Sequence, residues 1–306
     1  MESRHVTTNL AFSSLPNSGG GHTRPLPEGG GPWITRRLCP PADSPQNIDG
    51  FGGKVVVRCR GSQIDASLNG QRLPTLARNR LLLCWYDPDG NPPLAMQEPP
   101  IMGECDTRQW SRWQMREYRI HANCRELIDN MADAAHFGPV HGANVRSFRN
   151  IMDGHTFVQE MCGHSERLSA ESELYSYAKY YGPAYQTTYM RGSYDGHTVE
   201  SYLLLSHLPV ARECFDIRYA VMVKRLPHLN EAQNAELCKM YAEKAFEAFA
   251  EDVAIWHNKT RIDNPILCDG DGPIHKLRTW YAQFYQPLAE INEERLRYRE
   301  YQLRYD

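Results

Sequence analysis

No stretch of this sequence stays apolar for long. Runs such as Leu81–Trp85 and Tyr202–Leu205 fall far short of the ~20 residues that a membrane-spanning helix needs. Positive charge is not in excess either. A formal net charge of −3 over 306 residues excludes the basic footprint of a nucleic-acid binder. Met1 is followed by a polar, Gly-rich stretch, without the basic opening and apolar segment of a secretory signal. The nine cysteines are odd in number and irregularly spaced, which argues for reduced thiols and against a disulfide framework. These absences predict a soluble, cytoplasmic chain with no membrane span and no nucleic-acid partner. There is no internal repeat.

What is present suffices for a core: 41% of the residues are hydrophobic, enough for one large domain or two small ones. Residues 1–45 are the exception. Gly19–Gly21 and Gly29–Gly31 are triple glycines, and prolines stand at 25, 27, 32, 40, 41 and 45. With few apolar anchors, such a segment cannot offset its ordering entropy. It is expected to be a disordered tail, or a misread segment from a gene start in the wrong frame.

Residues 46 to 92 read as short strands broken by turns. Lys54–Cys59 and Arg80–Trp85 are rich in β-formers, and Asp87-Pro-Asp-Gly90 is a turn signal. Trp113–Ala122 looks like a strand, followed by a helix from Asn123 to Phe137 that Gly138-Pro139 should break. Residues 154–226 alternate like strands, as in Thr198–Leu205 and Phe215–Val223, with a turn at Gly192–Gly196. A long helix, Leu229 to Asn258, carries the apolar stripe Leu237, Tyr241, Ala245, Phe249, Val253 and Trp256. A charged helix, Leu288 to Arg299, is expected to close the chain. The fold class is α+β, a sheet wrapped around or against one long helix.

The most informative stretch is Asn123–His141. Asp133 and His136 are three apart, so on a helix they share a face. His141 lies five beyond His136, and a helix end at Gly138-Pro139 would let its imidazole swing back beside the first. Two neutral imidazoles on one centre suit Fe(II), Zn(II) or Cu(II), and a carboxylate completing the set with open positions is the arrangement of iron oxygenases. Asp252 sits between Phe249 and Trp256 on the inward stripe, where a buried carboxylate needs a partner. That partner is a metal, or else Asp252 lies at the edge of the stripe and reaches water.

At these residues the sequence resembles a known family. Asn123–His141, with its Asp-x-x-His-x-x-x-x-His core, is similar to the iron motif of Rieske-type non-haem iron oxygenases. Glu251–Pro265 resembles the carboxylate-bearing helix of the branch holding the oxygenase component of 3-ketosteroid 9α-hydroxylase and the cholesterol 7-desaturases. Asp271-Gly-Pro-Ile274, Leu277–Tyr285 and Tyr86–Pro93 continue the agreement, so that it covers residues 80 to 290. The resemblance implies mononuclear Fe(2+) on His136, His141 and Asp252. It implies a catalytic role for Asp133 as the carboxylate that orients an iron-binding histidine and links it across a subunit boundary to a neighbour's Rieske cluster. It also implies a homotrimer, a ferredoxin reductase-type electron donor, O2, and a steroid-like hydrophobic substrate that is hydroxylated or desaturated. The fold it implies is a helix-grip catalytic domain (StAR-related/Bet v 1-like) over 93–306: a curved antiparallel sheet and a long C-terminal helix around an apolar pocket. Tyr180, Tyr181, Tyr185, Tyr189 and the strands near Tyr202 are candidates for lining that pocket.

The sequence departs from the family upstream. A Rieske [2Fe–2S] cluster needs a Cys-x-His and a Cys-x-x-His pair. Cys39 is followed by Pro40-Pro41 and Cys59 by Arg60-Gly61-Ser62. Gly52–Cys59 and Gly61–Gly70 resemble the strands that flank the second pair, so 46–92 reads as a truncated all-β Rieske-like remnant. Cys162-Gly-His164 has no second pair and lies in the catalytic half. Two functions fit: an oxygenase terminal component, impaired or dependent on a partner for electrons, and a non-catalytic sterol-binding module or decayed oxygenase.

Overall fold

The computed structural model describes Trp33–Ile34 and residues 45–304, except 61–62, 80, 88, 94–97, 101, 103–107, 166–168, 269 and 287–289. The tail expected over 1–45 therefore lies almost wholly outside the described residues. In chain order the first strands are β1 (Trp33–Ile34), β2 (Gln46–Gly50), β3 (Gly53–Arg60), β4 (Gln63–Leu68), β5 (Gln71–Leu73), β6 (Thr75–Arg78) and β7 (Leu81–Cys84). Then come β8 (Gln114–Ile120), helix α1 (Arg125–Ile128), a 3-10 turn (Asp129–Met131) and helix α2 (Phe137–His141). A run of long strands follows: β9 (Ala143–Asp153), β10 (Thr156–Ser165), β11 (Ser169–Tyr181), β12 (Tyr185–Tyr194), β13 (His197–Ala211) and β14 (Cys214–Val223). Helices α3 (Glu231–Trp256) and α4 (Ile274–Tyr281) and the strand β15 (Arg299–Arg304) complete the fold.

Eight of these strands make one antiparallel sheet in the order β15-β9-β10-β11-β12-β13-β14-β8. Period-two alternation gives each strand two faces. One face packs against α3 and α4 around Phe157, Tyr180, Tyr219 and Trp280. The other face carries Tyr185, Leu204 and Ala220, which meet Leu81 and Leu83 of β7. The β2-β3-β4-β5 meander builds a smaller core around Val55, Val57 and Leu68, into which Leu208 of β13 inserts. It is anchored there by Phe51 and Gly52 N–H groups donating to the Pro209 and Val210 carbonyls at 2.8 and 3.2 Å. Among the described residues no helix is long and apolar enough to cross a membrane.

The long helix is α3. A reciprocal capping box starts it: Asn230 Oδ1 accepts the Gln233 N–H at 2.9 Å, and Gln233 Oε1 accepts the Asn230 N–H at 3.0 Å. At Asp87-Pro-Asp-Gly90 the expected turn is present, with the Gly90 N–H donating to the Asp87 carbonyl at 3.0 Å. Two expected helices are not. In place of one helix over Asn123–Phe137 there is α1, the 3-10 turn and an irregular loop to His136. Gly138-Pro139 does not break a helix; it sits in the first turn of α2, where an amide N–H has no intrahelical partner to lose. Among the described residues the closing charged helix is also absent; Leu288 and its neighbour at 289 lie outside them. Glu293–Leu296 is a 3-10 turn and Arg299–Arg304 pairs with β9. Alternating Tyr301 and Leu303 face the core there, and edge-strand pairing overrides the helix preference of Glu, Leu and Arg.

His207 of β13 is buried beside Phe215, and its two ring nitrogens have no hydrogen-bond partner among the described residues. Burial pushes its pKa down to about 3. A folded-state value below the unfolded one means that protonation favours unfolding. The stability contribution is whole above pH ~6.5 and falls as pH drops towards 3. Between pH 7 and 5 this single group should remove about 2 kcal/mol. Urea titrations at both pH values should show His207→Leu losing about that much less than wild type; equal losses would contradict it.

Candidate metal centre and apolar cavity

The site lies where α2, the 3-10 turn and the last turns of α3 meet the sheet. His136 caps α2 just outside its first residue, and His141 is its last residue. Gly142 follows at φ 61°, its N–H donating back to the Gly138 carbonyl, so the chain leaves α2 immediately. This compact turn holds the two imidazoles 5.3 Å apart between ring centroids, at 78°. Asp252, on the buried stripe of α3, brings its Oδ2 to 3.4 Å from His141 Nε2. One donor atom from each of His136, His141 and Asp252 lies within 4.8 Å of the other two. Bonds of about 2 Å to a shared ion put two ligand atoms at most about 4 Å apart. A side-chain adjustment of about an ångström therefore closes the set, and these donors fit a divalent metal.

Surrounding groups fix how each ring presents itself. The His136 Nδ1–H donates to the Asp133 carbonyl at 2.7 Å, which leaves Nε2 with its lone pair. The Asp133 carboxylate takes the His136 N–H at 3.1 Å and stands 3.7 Å from Nδ1. Asp133 and His136 thus meet across a loop, not on one face of a helix. Burial opposes ionisation of Asp133, but the hydrogen bonds from His136 outweigh it and hold the carboxyl below its usual range. His141 Nδ1 faces Glu251 Oε2 at 3.3 Å. Burial disfavours a charged His141, yet Asp252 and then Glu251 overcome it and raise the imidazole's pKa. Two carboxylates thus stabilise positive charge at this ring, whether carried by a proton or by a divalent cation. Asn130 Nδ2 donates to Asp252 Oδ1 at 3.2 Å, and Asn130 is itself held by Gln159 Nε2 on its carbonyl at 3.1 Å.

Beside this triad a cavity opens between α3 and the sheet. Strand register supplies its floor. Tyr180, Gln186, Leu205 and Tyr219 form one cross-strand row, and Gln159, Ala178, Thr188 and Leu203 form the next. Phe249 stacks on Tyr219 at 4.0 Å, and Trp256 meets Phe249 edge-on at 5.6 Å. Of the tyrosines expected in the pocket, only Tyr180 lines it. Tyr185, Tyr189 and Tyr202 belong to the opposite sheet face, because inward positions on β12 are 186, 188 and 190. Tyr181 packs against Tyr185 on that same outer side. The strand near Tyr202 does contribute, through Leu203 and Leu205. Sequence reasoning missed Glu251, Asn130, Gln159, Gln186 and Tyr219. Glu251 adjoins Asp252 in the chain, but only the helix's placement shows that it reaches His141.

The chain is similar to several known proteins. A family model described as the 3-Ketosteroid 9alpha-hydroxylase C-terminal domain matches residues 84–285. Two 3-ketosteroid-9-alpha-monooxygenase oxygenase components of Rhodococcus rhodochrous are similar. One is 36% identical over 241 residues, covering 73% of this chain and 63% of the relative. The other is 38% identical over 229 residues, covering 72% and 59%. The chain thus spans about six-tenths of the length of these curated relatives. Cholesterol 7-desaturase of Caenorhabditis elegans is 24% identical, covering 84% of this chain and 69% of the relative. Among solved structures, dicamba monooxygenase bound to dicamba superposes with a TM-score of 0.59 at 14% identity, covering 79% of this chain and 92% of that one. NdmA of Pseudomonas putida CBB5 with caffeine gives 0.57 at 11% identity, covering 78% and 83%. At those identities the two structures share the fold alone. With the family model running from the last residue of β7 to beyond α4, the chain belongs to the 3-ketosteroid 9α-hydroxylase C-terminal domain family.

Proposed function

We propose that this chain is the catalytic part of an oxygenase terminal component that holds one Fe(II) on His136, His141 and Asp252. The observation that carries the reading is the convergence of two imidazoles and one carboxylate beside an apolar cavity. A two-histidine, one-carboxylate set that leaves positions open is the donor set of non-haem iron oxygenases. When bound, the iron supplies the activation of O2 that hydroxylates or desaturates a C–H site. The chain's own residues do the rest. Asp133 and Glu251 fix the two rings, Asn130 holds one oxygen of Asp252, and the apolar walls exclude water and seat a steroid-like substrate over the triad. Gln159, Gln186 and Thr188 give that substrate's oxygens partners on the cavity floor.

In this reading residues 93–306 form a helix-grip catalytic domain, and 46–92 form a Rieske-like remnant. The 306 residues hold no Cys-x-x-His pair to set beside a Cys-x-His for a [2Fe–2S] cluster. In this reading electrons come from a cluster-bearing partner subunit fed by a ferredoxin reductase-type donor, with Asp133 at the boundary in a homotrimer. The test is to load the protein with Fe(II) without air, measure iron per chain, then add a 3-ketosteroid, O2 and a chemical reductant. About one iron per chain and a product one oxygen atom heavier, or two hydrogens lighter, would support the proposal. Steroid binding without iron uptake would defeat it.

A further inference from the structure

The turn Gly270–Pro273 crosses the loop that joins the 3-10 turn Asp129–Met131 to His136. Gly272 makes the closest approach. At φ 68°, a Cβ added there would lie 2.2 Å from the Ala132 carbonyl oxygen and 3.4 Å from Leu303 Cδ1. A Cβ on neighbouring Gly270 would sit 3.6 Å from the Ala135 side chain. The turn is fastened by Asp271, whose Oδ2 accepts the Cys268 N–H at 2.7 Å and whose own N–H donates to the Cys268 carbonyl at 3.1 Å. The turn thus closes on the loop at Ala132, with Leu303 of β15 also beside Gly272.

The lever arm to the triad is one residue long. The Ala132 carbonyl belongs to the peptide that leads into Asp133. Asp133 in turn sets the His136 ring through its carbonyl on Nδ1 at 2.7 Å and its carboxylate on the His136 N–H at 3.1 Å. We propose that Gly272 is a positioning residue: its lack of a side chain lets the 270–273 turn seat the Ala132–Asp133 peptide where His136 faces His141 and Asp252. This rests on the reading of His136 as a metal ligand. A side chain at 272 would displace the peptide and swing the ring away, since a carbonyl oxygen cannot yield without carrying Asp133 with it. Closely packed surroundings transmit such a shift and do not absorb it.

The test compares Gly272→Ala with Gly196→Ala in the full chain. Gly196 has a φ of 72°, and an added Cβ there meets nothing within 4 Å. Both variants therefore pay the strain of a left-handed residue, and only the first meets Ala132. Fe(II) and Co(II) affinities are measured by titration, the Co(II) visible spectrum reports ligand geometry, and melting of the metal-free protein reports folding. Gly272→Ala should bind about 10–100-fold more weakly, the range for losing a supporting contact, with an altered Co(II) spectrum. Gly196→Ala should melt lower yet bind as wild type does. Asp271→Ala, which loosens the turn without adding bulk, should also weaken binding, and Asp271→Asn, which keeps an acceptor for Cys268, should restore it. Should Gly272→Ala not fold, the Asp271 pair decides. Wild-type affinity and spectrum in Gly272→Ala or Asp271→Ala would overturn the positioning role alone. Wild-type protein that takes up neither ion would overturn the metal-site reading and this inference with it.

Discussion

Asp252→Ala is expected to abolish Fe(II) uptake, with a loss of at least ~100-fold in affinity, beyond the range of an outer partner. Asp252 supplies the only carboxylate among the three converging donors, and its Oδ2 already faces His141 Nε2 at 3.4 Å. Removing it leaves two imidazoles and no negative charge in direct contact with the ion. His136→Ala should behave alike. A graded series separates ligand from support. Glu251→Ala removes the acceptor for His141 Nδ1 and should cost about 10–100-fold. Asp133→Asn keeps an acceptor for the His136 N–H, and its main-chain carbonyl still fixes Nδ1, so binding should stay largely intact. Iron content after anaerobic loading and gel filtration reads all four. Full iron in both alanine ligand variants would end the assignment.

Arg278→Ala should be strongly destabilising. Two acids, Glu126 and Asp129, are 1% and 4% exposed directly upstream of the site. Arg278 of α4 grips the Asp129 carboxylate with two bonds, Nε at 2.9 Å and Nη2 at 2.6 Å. Arg261 and Lys259 hold Glu126 at 3.1 and 3.3 Å. Losing one partner strands a buried charge, which costs about 3–5 kcal/mol. Because Lys259 also approaches Asp129, at 3.5 Å, the low end is expected. Urea unfolding measures the loss. A second substitution, Asp129→Asn, should recover part of it in the double variant, because the stranded charge is then gone. A loss below ~1 kcal/mol would instead place this cluster with exposed ion pairs. The same change should weaken metal binding, since the Asp129 carbonyl accepts the Asp133 N–H at 3.0 Å.

The sequence by itself determined the long helix and most of the sheet. The 3.6-residue stripe of α3, with an acid between Phe249 and Trp256, is a local pattern that any packed helix must respect. Runs of apolar and β-branched residues did the same for β13 and β14. The residues His136, His141 and Asp252 were legible because motif residues keep their order in the chain. Local pattern misled where two rules competed. Gly138-Pro139 reads as a helix end, yet proline is tolerated in a first turn, so the peptide between the histidines begins α2. Glu293–Arg304 is rich in helix formers, but the open edge of β9 offered hydrogen bonds that turned its last six residues into β15.

Only the tertiary structure decided which side chains share a space. Tyr180 and Tyr181 are adjacent in sequence and lie on opposite sheet faces. Which face holds the cavity is set by the packing of α3, information carried by residues about 70 positions away. Glu251 on His141, Asn130 on Asp252 and Gly272 on Ala132 are contacts between segments more than a hundred residues apart. No spacing rule reaches that far, because such contacts follow from how whole elements pack and not from any local period.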